Sequence, residues 1–137
     1  MSTKANVVSV VGVVTKADFD LPRQIEQGLP AEIIQNLNEA GLTLAEVADL
    51  IISPQTLKHR NARGEKLTHE EVDRVVRVAR ILSLAEAVFG NKEKAFLWLR
   101  TPTERLENRS PLNVLKTESG GQLVEHLLWQ IDEGIYS

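Results

Sequence analysis

Apolar residues recur at helical spacing through most of this chain, and caps and breakers punctuate the pattern at short intervals. A first helix is expected at about 22–28, and a second at 31–40 that stops at Gly41. Thr43, with Glu46 three residues on, makes a capping box ahead of Leu44, Val47, Ala48 and Ile51. Ser53-Pro54 restarts the chain as cap and first-turn proline of a helix that runs to about Ala62 and ends at Gly64. Thr68 and Glu71 form another capping box and open a long helix from about His69 to Val88. Its apolar positions Val72, Val75, Val76, Ala79, Leu82 and Val88 suit a central helix touching both halves. Asn91 caps a helix ending near Arg100, with Ala95, Trp98 and Leu99 on one face and Phe96 beside it. Thr101-Pro102 and Ser110-Pro111 each read as a cap followed by proline, so short helical turns are expected there. Ser119 with Gln122 is expected to open the last helix, with Ser119-Gly120-Gly121 as a flexible hinge. At 100° per residue from Val124, the residues Leu127, Leu128, Ile131 and Ile135 form one buried stripe. Trp129 falls about 140° away, among Gln122, Glu125, His126 and Glu133.

Residues 1–20 stand apart. The run Val7-Val8-Ser9-Val10-Val11-Gly12-Val13-Val14 is β-branched and has no helical stripe. It is either a strand that pairs outside itself, for instance with a second copy, or a disordered arm. The expected organisation is an arm over 1–20, a helix-turn-helix domain over 21–82 and a partner-binding domain over 83–137. The fold class is all-α, with a short N-terminal β arm if that segment orders.

At 137 residues the chain can bury one real core, or two small ones sharing a helix. Hydrophobic residues at 42% and charged residues at 26% are ordinary for a soluble protein. A net charge of -3 argues against coating nucleic acid through bulk charge, yet it leaves room for a local basic patch. With no cysteine there is no disulfide, no thiol chemistry and no cysteine-based zinc site. The longest apolar run, Val7–Val14, is far short of the roughly 20 residues that span a bilayer, so a cytoplasmic protein with no membrane partner is expected.

Charge is distributed unevenly. Over 53–66 four bases (Lys58, Arg60, Arg63, Lys66) face one acid, Glu65, for a net of +3, whereas 17–52 holds one base against seven acids, for a net of -6. Residues 43–63 have the length and order of a helix-turn-helix, with Leu44, Val47, Ala48 and Ile51 inward on the first helix and Leu57 as the buried anchor of the second. Measured from Leu57, the residues Gln55, His59 and Arg63 form the outward face, and Thr56 and Lys58 flank it. With Arg60, these types suit DNA: Arg and Lys to guanine, Gln to adenine, Thr to phosphate. The alternative is a solvated helix that binds no DNA, and the turn Leu50-Ile51-Ile52-Ser53 lacks the glycine such turns often carry. Arg74, Arg77 and Arg80 follow at every third position and read as exposed, ion-paired residues among Glu70, Glu71 and Asp73. In the final helix, a tryptophan on the polar side is a candidate partner contact, with packing under the N-terminal arm or a loop as the alternative.

Nothing points to catalysis. His59, His69 and His126 form no metal spacing, and Asp73 stands where a zinc-protease helix after His69-Glu70 needs its second histidine. Gly120-Gly121 is followed by no phosphate-loop lysine. No enzyme, no cofactor and no metal are expected.

These residues also resemble a known family. Thr56-Leu57-Lys58-His59-Arg60, Leu67-Thr68, Arg77-Val78-Ala79-Arg80, Ala87-Val88-Phe89-Gly90, Lys94-Ala95 and Trp98-Leu99 are similar to the Xre/MbcA/ParS-like antitoxins. Leu106, Pro111-Leu112, Leu115-Lys116-Thr117, Gly120, Val124-Glu125, Leu128, Ile131 and Gly134 continue the match, which covers about 30–135. The resemblance implies an Xre-type helix-turn-helix that represses its own operon, joined to a domain that binds a toxin. The implied partner is a RES-domain toxin, an NAD-degrading enzyme whose active-site entrance the antitoxin covers. By position, the implied toxin contacts are Trp129, Glu133, Tyr136 and Ser137. The implied partners are thus that toxin, operator DNA and a second copy in a homodimer. Two rivals stay open: a regulator whose C-terminal block only oligomerises, and an inhibitor whose helix-turn-helix is idle.

Overall fold

The computed structural model describes residues 28–134. The arm over 1–20, the expected helix at 22–28 apart from Gly28, and Ile135, Tyr136 and Ser137 lie outside the described residues. Six α-helices follow in order: α1 (Ile33–Ala40), α2 (Leu44–Leu50), α3 (Pro54–Arg63), α4 (His69–Phe89), α5 (Lys92–Arg100) and α6 (Glu118–Asp132). Two 3-10 turns, Glu104–Leu106 and Asn113–Lys116, lie between α5 and α6. Among the described residues the only β pairing is two isolated bridges, Pro30 with Lys66 and Thr103 with Arg109.

The caps explain where most helices start. The Thr43 hydroxyl accepts the Glu46 N–H at 3.1 Å, and the Glu46 carboxylate accepts the Thr43 N–H at 2.9 Å. Thr68 and Glu71 repeat the box at 3.2 and 2.8 Å. Each satisfies two N–H groups that a helix start otherwise leaves unpaired. Ser53 caps α3, ahead of Pro54, by accepting the Thr56 N–H at 3.1 Å. Asn91 caps α5 by accepting the Lys94 N–H at 2.7 Å.

Two expectations in the last third need correction. Thr101-Pro102 starts no helical turn. Pro102 disfavours helix at the residue before it, so Thr101 (ψ 122°) becomes the C-cap of α5 and its hydroxyl donates to the Leu97 carbonyl. Ser110, by contrast, accepts the Asn113 N–H as expected. The second correction concerns α6, which opens two residues earlier than expected: Thr117, not Ser119, is the cap and accepts the Gly120 N–H at 3.0 Å. Ser119-Gly120-Gly121 is therefore the first part of α6 and not a hinge. A Cβ on Gly120 would lie 1.8 Å from the Val114 carbonyl oxygen, and one on Gly121 would lie 2.8 Å from Arg77 Cδ. These glycines provide clearance where a helix start meets the preceding turn and α4.

A continuous core runs from Ile33, Ile34 and Leu37 of α1 to Val124, Leu127 and Leu128 of α6. α4 is its axis, packing on α5, α6 and the second 3-10 turn. Val72, Val75, Ala79 and Leu82 are buried as expected, joined by Val78, Ile81 and Ala85, whereas Val76 and Val88 are half-buried. α2 buries Val47 and Leu50, followed by Ile51 and Ile52. Leu44 is not inward: it is 72% exposed, because the turn before the cap already buries Leu42 and α2 begins at the core's edge. On α5 the core positions are Ala95, Phe96 and Leu99. Trp98 is half-buried and tilts against Phe89 with ring centroids 5.7 Å apart.

Polar clasps tie the first helices to the last third. Arg100 donates twice to Glu46 (2.7 and 2.8 Å) and once to the Gly41 carbonyl (2.9 Å), and it lies 4.4 Å over the Phe96 ring. Gly41 has φ 130°, and a Cβ there would stand 2.7 Å from that ring, so both conformation and space call for glycine. Burial pushes the Glu46 carboxyl up, but hydrogen bonds from Arg100 and Thr43 outweigh it and hold the group below its ordinary range. Lys116 reaches Asp49 of α2 at 3.1 Å. No described helix is long and apolar enough to cross a membrane.

Candidate functional site

α3 buries no residue, and half-buried Leu57 is its packing anchor. Gln55, Lys58, His59 and Arg63 are exposed on one side of it. Thr56 is half-buried, and its hydroxyl accepts a hydrogen bond from Ser53 at 2.8 Å. Arg60 behaves differently from its neighbours. Its guanidinium donates to both Glu71 oxygens at 3.1 and 2.9 Å and to Glu65 at 3.4 Å, which fixes α3 to α4. Burial pushes the Glu71 carboxyl up, but Arg60 and the Thr68 cap outweigh it and bring the group below its ordinary range. Arg63 remains 72% exposed, with one long contact to Glu65 at 3.9 Å. The structure thus groups Gln55, Lys58, His59 and Arg63 on an open face and ties Arg60 into the domain.

Of the three arginines on α4, Arg74 pairs with Glu70 and donates to the Ile51 carbonyl, and Arg80 pairs with Glu125. Arg77 is not an exposed residue. Its side chain is 12% exposed and binds the Leu115 carbonyl at 2.9 Å, the Lys116 carbonyl at 3.3 Å and Glu118 at 3.3 Å. Gly121 makes room for it: a Cβ there would stand 2.8 Å from Arg77 Cδ.

On α6 the buried stripe is Val124, Leu127 and Leu128, with Ile131 half-buried. The opposite side exposes Gln122, Leu123, His126, Trp129 and Glu133. Trp129 is 47% exposed and Leu123 45%. Sequence reasoning missed Leu123, which lies one position outside the stripe and about 120° around the helix from Trp129. Glu133 caps the C-terminal end of α6, and Tyr136 and Ser137 lie outside the described residues. The site is made for contact: it offers apolar area, hydrogen-bonding groups and charge, and among the described residues no group of three or more His, Asp or Glu could hold a metal.

One further residue went unnoticed in the sequence. Glu86 of α4 is fully buried and neither carboxylate oxygen has a hydrogen-bond partner. It faces a small cavity lined by Ala40, Leu82, Lys92, Ala95, Phe96 and Leu99. Burial pushes its carboxyl up, with Lys92 acting weakly against that. Its signal was a charge four residues after Leu82, on the apolar stripe of the central helix.

Comparison with known proteins matches these two regions separately. Residues 20–80 match the antitoxin Xre-like helix-turn-helix domain, and residues 84–134 match the antitoxin Xre/MbcA/ParS C-terminal toxin-binding domain. The chain is 41% identical over 118 residues to Antitoxin Xre of Pseudomonas putida, covering 86% of this chain and 74% of the relative. It is 31% identical over 132 residues to Antitoxin Xre of Photorhabdus laumondii (93% of this chain, 88% of the relative). With Antitoxin Xre of Yersinia enterocolitica it is 29% identical over 130 residues, at the same coverage. An all-α helix-turn-helix followed by a toxin-binding domain, with relatives aligned along most of their length, places this chain in the Xre-like antitoxin family.

Proposed function

We propose that this chain neutralises a RES-domain, NAD-degrading toxin by covering its active-site entrance, and represses its own operon through α3. The observation that carries this reading is a pair of open faces on separate helices. α3 offers Gln55, Lys58, His59 and Arg63 within the match to a helix-turn-helix domain, and α6 offers Leu123 and Trp129 within the match to a toxin-binding domain. The toxin class comes from the family resemblance.

On DNA, α3 enters the major groove. Arg63 and Lys58 meet guanine edges or phosphates, Gln55 meets adenine, and Thr56 and His59 complete the contact. Arg60 works from inside by setting the angle of α3 on α4. Two copies pair as a homodimer, so that their α3 helices sit about one DNA turn, roughly 34–36 Å, apart. On the toxin, Trp129 fills an apolar slot and Leu123 flanks it, and the family resemblance adds Glu133, Tyr136 and Ser137 as contacts. Inhibition is steric and needs no cofactor.

Two variants test the two faces. Operator binding by gel shift should weaken as salt rises, and Arg63→Ala should weaken it by about 1–3 kcal/mol while leaving toxin capture intact. Trp129→Ala should cost toxin capture about 2 kcal/mol or more and leave operator binding alone. Unchanged capture by Trp129→Ala would remove Trp129 from the contact, and failure of the wild type to capture the toxin would reduce the last third to an oligomerisation block. Operator binding indifferent to both salt and Arg63 would make the helix-turn-helix idle.

A further inference from the structure

The charge of α6 is one-sided. From Glu118 to Gly134 it has no lysine or arginine. Its first two acids are matched internally, Glu118 by Arg77 and Glu125 by Arg80. Its last two, Asp132 and Glu133, are exposed and have no ion-pair partner among the described residues. They stand at the C-terminal end of the helix, where unpaired carbonyls already give a negative potential and a cation would be the stabilising choice. α3 and α5 end on bases, Arg60 and Arg63 and Arg100, whereas α1, α2 and α4, like α6, have none in the last turn. α6 therefore accumulates negative charge at an end where the free protein gains nothing from it. The same helix exposes two large apolar side chains, Leu123 and Trp129, and Trp129 sits within one turn of Asp132 and Glu133.

We infer that the outward face of α6 is shaped for one kind of partner surface, an apolar slot for Trp129 rimmed by lysine or arginine side chains. The inference rests on the toxin-binding reading and specifies the chemistry of the surface that α6 meets. A cationic rim answers both the carboxylates and the helix terminus, so the acids that strain free α6 become favourable in the complex. Because they lie at the edge of the apolar contact and remain solvated until docking, their main effect is on encounter. They attract the partner before Trp129 seats, and salt weakens that attraction.

The test is the double variant Asp132→Asn/Glu133→Gln, with Glu32→Gln/Glu39→Gln as a control of equal net charge on α1. The probe is the purified product of the reading frame directly downstream, captured by wild type and by Trp129→Ala in parallel. The expected result has two opposite signs. The free double variant melts a few degrees higher than wild type. Its association rate with the probe falls by about tenfold at low salt, and the gap closes at high salt. The control leaves the association rate and its salt dependence unchanged. An association rate and salt slope equal to wild type, or a melting temperature that does not rise, overturns the inference even while Trp129→Ala still abolishes capture. Failure of wild type itself to capture the probe removes the toxin-binding reading, and the inference with it.

Discussion

Glu86 shows most clearly how single residues set the behaviour of this protein. A carboxylate with both oxygens buried and unpartnered is costly when charged, so the fold favours the neutral acid. Its contribution to stability is therefore present below the ordinary value of 4.5 and is lost as pH rises through its raised value. Glu46 and Glu71 act in the opposite sense. Their carboxyls lie below the ordinary value, so their contribution is present above 4.5 and is lost as pH falls through the lowered values. Wild type should then lose stability on both sides of an intermediate pH. Glu86→Gln should keep the acidic limb and flatten the alkaline one, becoming more stable than wild type near pH 8 by on the order of 1 kcal/mol. Denaturant titrations of both proteins from about pH 3 to pH 8 would show this, and parallel curves would contradict it. The same scale separates two arginines three residues apart. Arg60 spends its guanidinium on Glu71, whereas Arg63 keeps its own exposed.

Among the elements, α6 departs most from what glycine usually means. A glycine inside a helix is normally about 1 kcal/mol worse than alanine, so Gly120→Ala would ordinarily stabilise. Here the added methyl meets the Val114 carbonyl at 1.8 Å, a backbone atom that cannot swing away. Gly120→Ala should therefore destabilise by about 1–3 kcal/mol in thermal or denaturant melts, and a gain would restore the flexible hinge. Helix starts elsewhere were legible in the sequence because their signals are local. The boxes at Thr43/Glu46 and Thr68/Glu71 and the caps Ser53 and Asn91 each act within three residues. The true cap of α6, Thr117, is equally local, but Ser119 beside two glycines offered a competing signal. The roles of Gly120, Gly121 and Arg77 depend on which distant segment lies against them, and no pattern along the chain carries that information. The exposed side of α6 was legible from its period, since Trp129 stands away from the Val124 stripe. Arg60 was legible as a base on α3, but its bond to Glu71 depends on how α4 folds back.

At the scale of the whole molecule, the two matched domains are continuous. The matches end at residue 80 and resume at 84, inside the single helix α4. The core is shared, Arg100 with Glu46 and Lys116 with Asp49 fasten the last third to α2, and Arg77 with Leu115 and Lys116 fastens it to α4. The α3 and α6 faces are therefore held in a set relation, and under the proposed function one body meets both DNA and a toxin. The central claim is that this body neutralises a toxin that consumes NAD. The most direct test is co-expression with the product of the reading frame immediately downstream, scored for growth and cellular NAD. The account predicts that the neighbour alone depletes NAD and arrests growth, that this chain restores both, and that Trp129→Ala restores neither. A harmless neighbour, or toxicity that this chain leaves untouched, would contradict it.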